Sequence, residues 1–232
     1  MKKNKMMRIA SVLLIAVLMT TCAISGTFAK YVTSDAGADS ARVAKFGVVI
    51  EADSFDIFKT QYETDDDTAS FTGDYSVSSS DTTDLLAPGT SGTFANIAIT
   101  GTPEVAVEVA IVATVEISDN WIVDGDFYCP ITVTVGTEEF SGLDYDSADA
   151  FAAAIKAEID GKSAQYAPNA DLGANYNNTN LDLAWEWAFD GTETNAEGVL
   201  ISDIKDTKLG DKAVAEDLTI NIEVDITVTQ ID

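Results

Sequence analysis

The chain contains no histidine. That absence excludes Ser-His-Asp and Cys-His nucleophilic catalysis and every His-ligated zinc site. Cysteine is nearly as scarce, with only Cys22 and Cys129 present. Cys22 lies in an apolar N-terminal run that reads as a cleavable leader. Cys129 is then alone, no intramolecular disulfide can form, and the fold must rest on its core. Positive charge is also short: 13 Lys and Arg stand against 39 Asp and Glu, a formal net charge of −26. Such a surface repels nucleic acid and anionic lipid. No Walker loop and no dinucleotide-binding glycine pattern occurs.

What is present begins with a basic start, MKKNKMMR, followed by the apolar stretch Ile9 to Ile24 and then Ser-Gly-Thr-Phe-Ala. These are the parts of a secretory signal peptide over 1–29, with Thr27 and Ala29 at the −3 and −1 positions and cleavage between Ala29 and Lys30. The alternatives are an uncleaved anchor, for which the run is shorter than the roughly 20 residues of a spanning helix, and a lipoprotein at Cys22, which Met19-Thr20-Thr21 fits poorly. Lys2, Lys3, Lys5 and Arg8 all fall in this leader and no acid does, so the remainder is more acidic still. The expected location is secreted, extracellular or at the cell surface, with membrane contact only through an uncleaved leader. The closing Thr229-Gln230-Ile231-Asp232 has no LPxTG-like motif, so sortase anchoring is not expected.

Residues 30–42 are polar, rich in small side chains and without a core pattern; a β-sandwich domain over 43–232 follows. Val43 to Ile50 reads as its first strand, with Phe55 to Phe58 extending it. Gln61 to Thr83, rich in Asp, Ser and Thr, reads as a surface excursion with at most one weak edge strand. After the Leu86–Gly92 turn, Thr93 to Thr100 alternates, and Val105, Val107, Val109, Ile111 and Val115 alternate with Glu104, Glu108, Thr114 and Glu116. Period-two alternation of β-branched residues marks a half-buried strand. Ile131 to Val135 and Glu138 to Leu143 flank Gly136-Thr137, a Gly-first hairpin turn. Asp146 to Asp160 is the one clear helix. Asp146 and Asp149 resemble a capping box, Phe151, Ile155 and Ile159 form its stripe, and Gly161 ends it. Leu181, Leu183, Trp185, Trp187 and Phe189 alternate against polar and small residues. Val199 to Ala215 is mixed, with a helical turn near Asp211 to Ala215. Leu218 to Val228 is the longest alternation. The sum is an all-β, jelly-roll-like sandwich with one short inserted helix.

Candidate chemistry is thin. Asp65-Asp66-Asp67, Asp119 with Asp124 and Asp126, and Asp144 with Asp146 could offer oxygens to calcium, with Asp124 and Asp126 the best pair, but none matches an EF-hand. An excess of acids makes any carboxylate pair uninformative about glycoside hydrolysis. Trp121, Trp185, Trp187 and Tyr128 could form a sugar platform, yet two of the tryptophans share a face with leucines, which favours core packing. Cys129 beside Pro130 reads as a buried thiol, with an intersubunit disulfide as the alternative.

The AKY junction, the polar tract, ARVAKFGV, the Leu-Ala-Pro-Gly turn, the Gly-Thr-Pro turn and the valine-rich strand to Ile117 together resemble the TasA/camelysin family, whose leaders are cut by a SipW-type signal peptidase. The resemblance covers about Lys3 to Ile50 and Leu86 to Ile117. It implies a non-enzymatic matrix-fibre subunit of Gram-positive bacteria on a jelly-roll scaffold. It also implies that the new N-terminus, Lys30 to about Val43, completes a neighbouring subunit's sheet, with Tyr31, Val32, Ala36, Ala38 and Ala41 as its few anchors, giving a homopolymer. Two other readings stand behind this: a monomeric secreted module binding polysaccharide or calcium, and a camelysin-like metallopeptidase, which without histidine would need carboxylates. No cofactor is expected beyond calcium.

Overall fold

The computed structural model describes Leu14 and residues 41–52, 56–63, 73–94, 97–175, 181–191, 194 and 200–232. Apart from Leu14, the leader, its cleavage point at Ala29 and Lys30, Tyr31, Val32, Ala36, Ala38 and Asp65 to Asp67 lie outside the described residues. The chain divides into two units, Met1–Val43 and Ala44–Asp232. The second is an all-β, jelly-roll-like sandwich.

In chain order its strands are β1 (Val49–Ala52), β2 (Gln61–Glu63), β3 (Tyr75–Ser78), β4 (Thr90–Phe94), β5 (Ile97–Thr100), β6 (Val107–Ile117), β7 (Ile122–Val123), β8 (Asp126–Phe127), β9 (Ile131–Val135), β10 (Glu138–Ser141), β11 (Ala164–Tyr166), β12 (Leu183–Trp187) and β13 (Ile220–Gln230). Helices α1 (Ala148–Asp160), α2 (Leu172–Asn175) and α3 (Ser202–Ala213) interrupt them. One main sheet has the order β10-β9-β12-β4 and the other β11-β6-β13; β1-β5, β2-β3 and β7-β8 form small ribbons. The chain returns repeatedly from one sheet to the other, so beyond the β2-β3, β7-β8 and β9-β10 pairs the ladders join strands distant in sequence.

The alternations place the core. Val107, Val109, Ile111 and Ala113 of β6, Ile131, Val133 and Val135 of β9, and Leu183, Trp185 and Trp187 of β12 are all buried in one cluster. Burying each such aliphatic side chain stabilises by about 1.5–3 kcal/mol. Trp185 sits at the centre, opposite Val133 on one side and Gly92 on the other. Its indole N–H donates to the Ile57 carbonyl at 2.6 Å. Gly92 is obligatory there, because a Cβ would overlap that same carbonyl oxygen and the indole nitrogen. The turn into β4 is type II, with Pro88 second, Gly89 third at φ 81° and Thr90 N–H bonded to the Ala87 carbonyl at 3.1 Å.

Helix α1 lies where the stripe predicts it, with Phe151, Ile155 and Ile159 buried against β6, β9 and β10. Its cap is Ser147, whose hydroxyl accepts from Ala150 N–H, and not the Asp146 pair. The Gly136-Thr137 turn is as expected, with Gly136 at φ 65°.

Other expectations are corrected. The first strand begins at Val49, not Val43; residues 41–48 have no regular structure. Within the second unit Lys45 N–H donates to the Glu104 carboxylate, 2.9 Å, and Glu104 N–H to the Lys45 carbonyl, 2.8 Å. The excursion after Gln61 contains the β2-β3 hairpin. Phe189 is not a core residue: β12 ends at Trp187 and Phe189 is 72% exposed, lying over Gly89. Residues 202–213 form a full helix, not a single turn near 211–215. Among the described residues no helix is long and apolar enough to cross a membrane.

Candidate functional site

The two edges of the β11-β6-β13 sheet differ, and the hydrogen-bond alternation shows how. Ser118 N–H donates to the Thr219 carbonyl at 3.0 Å, and Ile231 N–H to the Ala106 carbonyl at 3.0 Å. In an antiparallel ladder such pairs alternate. Even-numbered residues of β6 therefore bond the odd-numbered residues of β13, in the register Val112 to Asp225. The odd residues of β6 point their backbone groups the other way.

That other side is covered from Val107 to Ala113. Val107 and Val109 face β11. Beyond it, Ile111 N–H donates to Ser163 Oγ at 2.9 Å and Ala113 N–H to Asp160 Oδ1 at 2.7 Å. Lys156 Nζ donates to the Ala113 carbonyl at 2.6 Å and to Asp160 Oδ2 at 2.8 Å. The C-terminal turn of α1 thus substitutes side chains for a missing strand. Partial burial pushes the Asp160 carboxyl up, but the Lys156 ammonium and the Ala113 N–H outweigh it and hold it below its ordinary value of 3.8.

The outer side of β13 is different. Its even residues, Ile220 to Val228, turn their side chains toward the core and their N–H and C=O groups to the outer edge. Among the described residues β13 pairs with β6 alone. Along this row the inward side chains go from buried at Ile220 and Ile222 to half-buried at Val224, Ile226 and Val228. The edge is eleven residues long and its far end is incompletely covered.

Of the proposed anchors, Ala41 is described: it is exposed and in no regular element. Next to it Val43 is 90% exposed and Phe46 41%.

Asp124 and Gly125 are the two central residues of the β7-β8 hairpin, both at positive φ, 57° and 98°. This is the Asp-Gly turn of a two-residue hairpin. Asp124 forms an ion pair with Lys208, both carboxylate oxygens lying 2.6–2.7 Å from the ammonium. Asp126 borders an open cleft of about 390 Å³ with Asp119 and Asp146. Among the described residues no three His, Cys, Asp or Glu side chains converge to hold a metal ion.

The tryptophans and Tyr128 are buried, so they form no exposed sugar platform. Trp185 packs against Phe58 at 5.3 Å and Trp187 against Trp121 at 5.9 Å. Cys129 is a free thiol without exposed surface, and burial pushes it up to about 12, so it is unavailable for an intersubunit disulfide in this fold.

A second feature lies beneath α3, between it, the 83–88 loop and the start of β13. The buried carboxylate of Asp206 accepts from Tyr128 O–H at 2.9 Å and from Trp187 indole N–H at 3.2 Å. Sequence reasoning missed Asp206 because α3 buries Ser202, Asp206 and Leu209. Their spacing is helical, but two of the three are polar, so no apolar stripe announces the helix.

These observations describe an acidic β-sandwich in which the β11-β6-β13 sheet is covered on the β6 side from Val107 to Ala113, while among the described residues the outer side of β13 pairs with no strand. Comparison with known protein families, with curated proteins and with solved structures finds no match to this chain.

Proposed function

We propose that this protein is an exported structural subunit of a surface or biofilm-matrix fibre. Removal of the leader after Ala29 frees Lys30 to about Val43, and this segment adds as a strand to the next subunit. The observation that carries the proposal is the outer edge of β13. An extended partner gains backbone hydrogen bonds along such an edge and inserts alternate side chains beside it. The half-buried Val224, Ile226 and Val228 offer apolar surface where a polar segment with few anchors needs it. Assembly of so acidic a chain requires cations or close contacts to offset self-repulsion.

The test is electron microscopy of the purified chain beginning at Lys30, beside the same chain lacking Lys30 to Ala41. Filaments from the first and none from the second are expected. Unchanged filaments after the deletion would overturn strand exchange by this segment.

A further inference from the structure

The hollow beneath α3 has a volume of about 520 Å³, within the size range of apolar binding pockets. Phe58, Leu86, Pro88, Trp121, Trp187 and Leu218 supply its apolar wall. Two large apolar side chains stand exposed at its rim. Val214 continues the helical backbone of α3, at φ −66° and ψ −27°, one turn beyond Gly210, which lines the hollow. It is 89% exposed. Phe189 follows Trp187 by two residues, and its exposed ring lies over Gly89, the neighbour of Pro88. A single exposed apolar residue is ordinary. A phenyl ring and an isopropyl group set beside an apolar hollow form a patch of the kind that marks an interaction surface.

Charge and shape both bear on the partner. The chain carries a formal charge of −26, so two copies repel across most of their surfaces. Helix α3 differs. Asp203, Asp206 and Asp211 are matched by Lys205, Lys208 and Lys212, so the helix carries no net formal charge. Two copies can approach here at low electrostatic cost. Knob and hole also lie side by side on one surface. A two-fold axis between them places each Phe189 in the other copy's hollow. Such an isologous contact is self-complementary and closed, so it makes a pair and not a filament.

We propose that this face joins two copies of the chain as a two-fold pair, with Phe189 of each seated in the other's hollow and Val214 packed at the rim. The proposal does not rest on strand addition at β13. Repulsion between the remaining acidic surfaces opposes the pair, so the chain is monomeric at low salt and pairs as salt screens those charges.

The experiment is sedimentation equilibrium of the full leaderless chain over a range of salt, with tryptophan emission followed in parallel, since Trp121 and Trp187 line the hollow. The chain lacking Lys30 to Ala41 is run beside it. It retains the whole second unit, Ala44–Asp232, and resolves the pair wherever the longer chain forms filaments. Dimers that strengthen as salt rises, with a change in emission, are expected. Phe189→Ser removes the knob and Gly210→Leu fills the hole, and each should weaken pairing at least about tenfold. Both positions are exposed, an added Cβ at Gly210 meets no atom within 4 Å, and leucine favours the helix, so neither variant should melt earlier. Val112→Ser, at an exposed apolar residue of β6, should leave pairing intact. The two weakened variants, mixed, should associate more tightly than either alone, because Phe189 of the Gly210→Leu chain fits the open hollow of the Phe189→Ser chain. A mixture no tighter than either variant alone overturns the contact. So does a chain that stays monomeric at every salt concentration, or a pair insensitive to both substitutions. A monomer whose emission shifts on adding a Lys30–Val43 peptide also overturns it, and assigns the hollow to that segment.

Discussion

The two edges of one three-stranded sheet face the same physical problem and receive different answers. On the β6 side, a three-residue strand covers Val107 and Val109, and Ser163, Asp160 and Lys156 satisfy the backbone of Ile111 and Ala113. On the β13 side, the row of outward N–H and C=O groups runs the length of the strand with no partner among the described residues. An uncovered edge is a template for pairing with another chain, and proteins generally blunt it. Here side chains and a short strand blunt one side of the sheet, and among the described residues nothing equivalent lies along the other, which is the feature a strand-adding partner requires.

Proline substitution at neighbouring positions of β13 separates fold from assembly. Thr227→Pro removes an N–H that bonds Ala110 across the ladder and leaves that carbonyl unpaired. A loss of about 1–3 kcal/mol is expected, read as a lowered denaturant midpoint. Val228→Pro removes only an outward N–H. Its cost to folding should stay below about 1 kcal/mol, while filaments disappear from electron micrographs. If Val228→Pro filaments match those of the parent, the outer edge of β13 is not the acceptor.

The capped side is tested at Asp160. Asp160→Ala strips the Ala113 N–H of its acceptor and Lys156 of its carboxylate, leaving that lysine only the Ala113 carbonyl among its described partners. About 1 kcal/mol should be lost, which for a chain of this size lowers Tm by about 2–4 °C in calorimetry. A smaller effect concerns acid. The Asp160 carboxyl is held below its ordinary value of 3.8, so its contribution is complete above that value and is lost as pH falls through the lower folded value. Asp160→Asn should flatten that part of the stability–pH curve below about pH 4 and leave neutral pH dependence unchanged. Because this carboxylate is partly exposed, the acid step should be small.

The contrast between the edges also explains what was legible in the sequence. β6, β12 and β13 alternate apolar with polar or small residues because one face is buried and the other solvated, and the stripe of α1 has the helical period. These signals survive without any tertiary information. The capping of β6 does not, since Ser163, Asp160 and Lys156 act on a strand more than forty residues earlier. Helix α3 was legible only as a turn near Asp211 to Ala215 because its buried stripe contains Ser202 and Asp206, and the Asp206 carboxylate is met by Tyr128 and Trp187 from distant parts of the chain. Asp124 and Asp126 flank Gly125, and the Asp-Gly pair between short apolar runs marks the β7-β8 hairpin turn that the structure shows. Phe189 continued the pattern of Trp185 and Trp187 on paper, but pairing with β4 and β9 ends at Trp187, and beyond the ladder the period no longer dictates a face.

The central claim is that the outer edge of β13 receives a strand. Residue-level amide hydrogen exchange, comparing the assembled chain from Lys30 with the monomer lacking Lys30 to Ala41, tests it most directly. Assembly should slow exchange at Ile222, Val224, Ile226 and Val228, whose N–H groups face outward. Glu223, Asp225 and Thr227, already bonded to β6, should change little. Filaments in which the even-numbered amides exchange as fast as in the monomer would contradict the account.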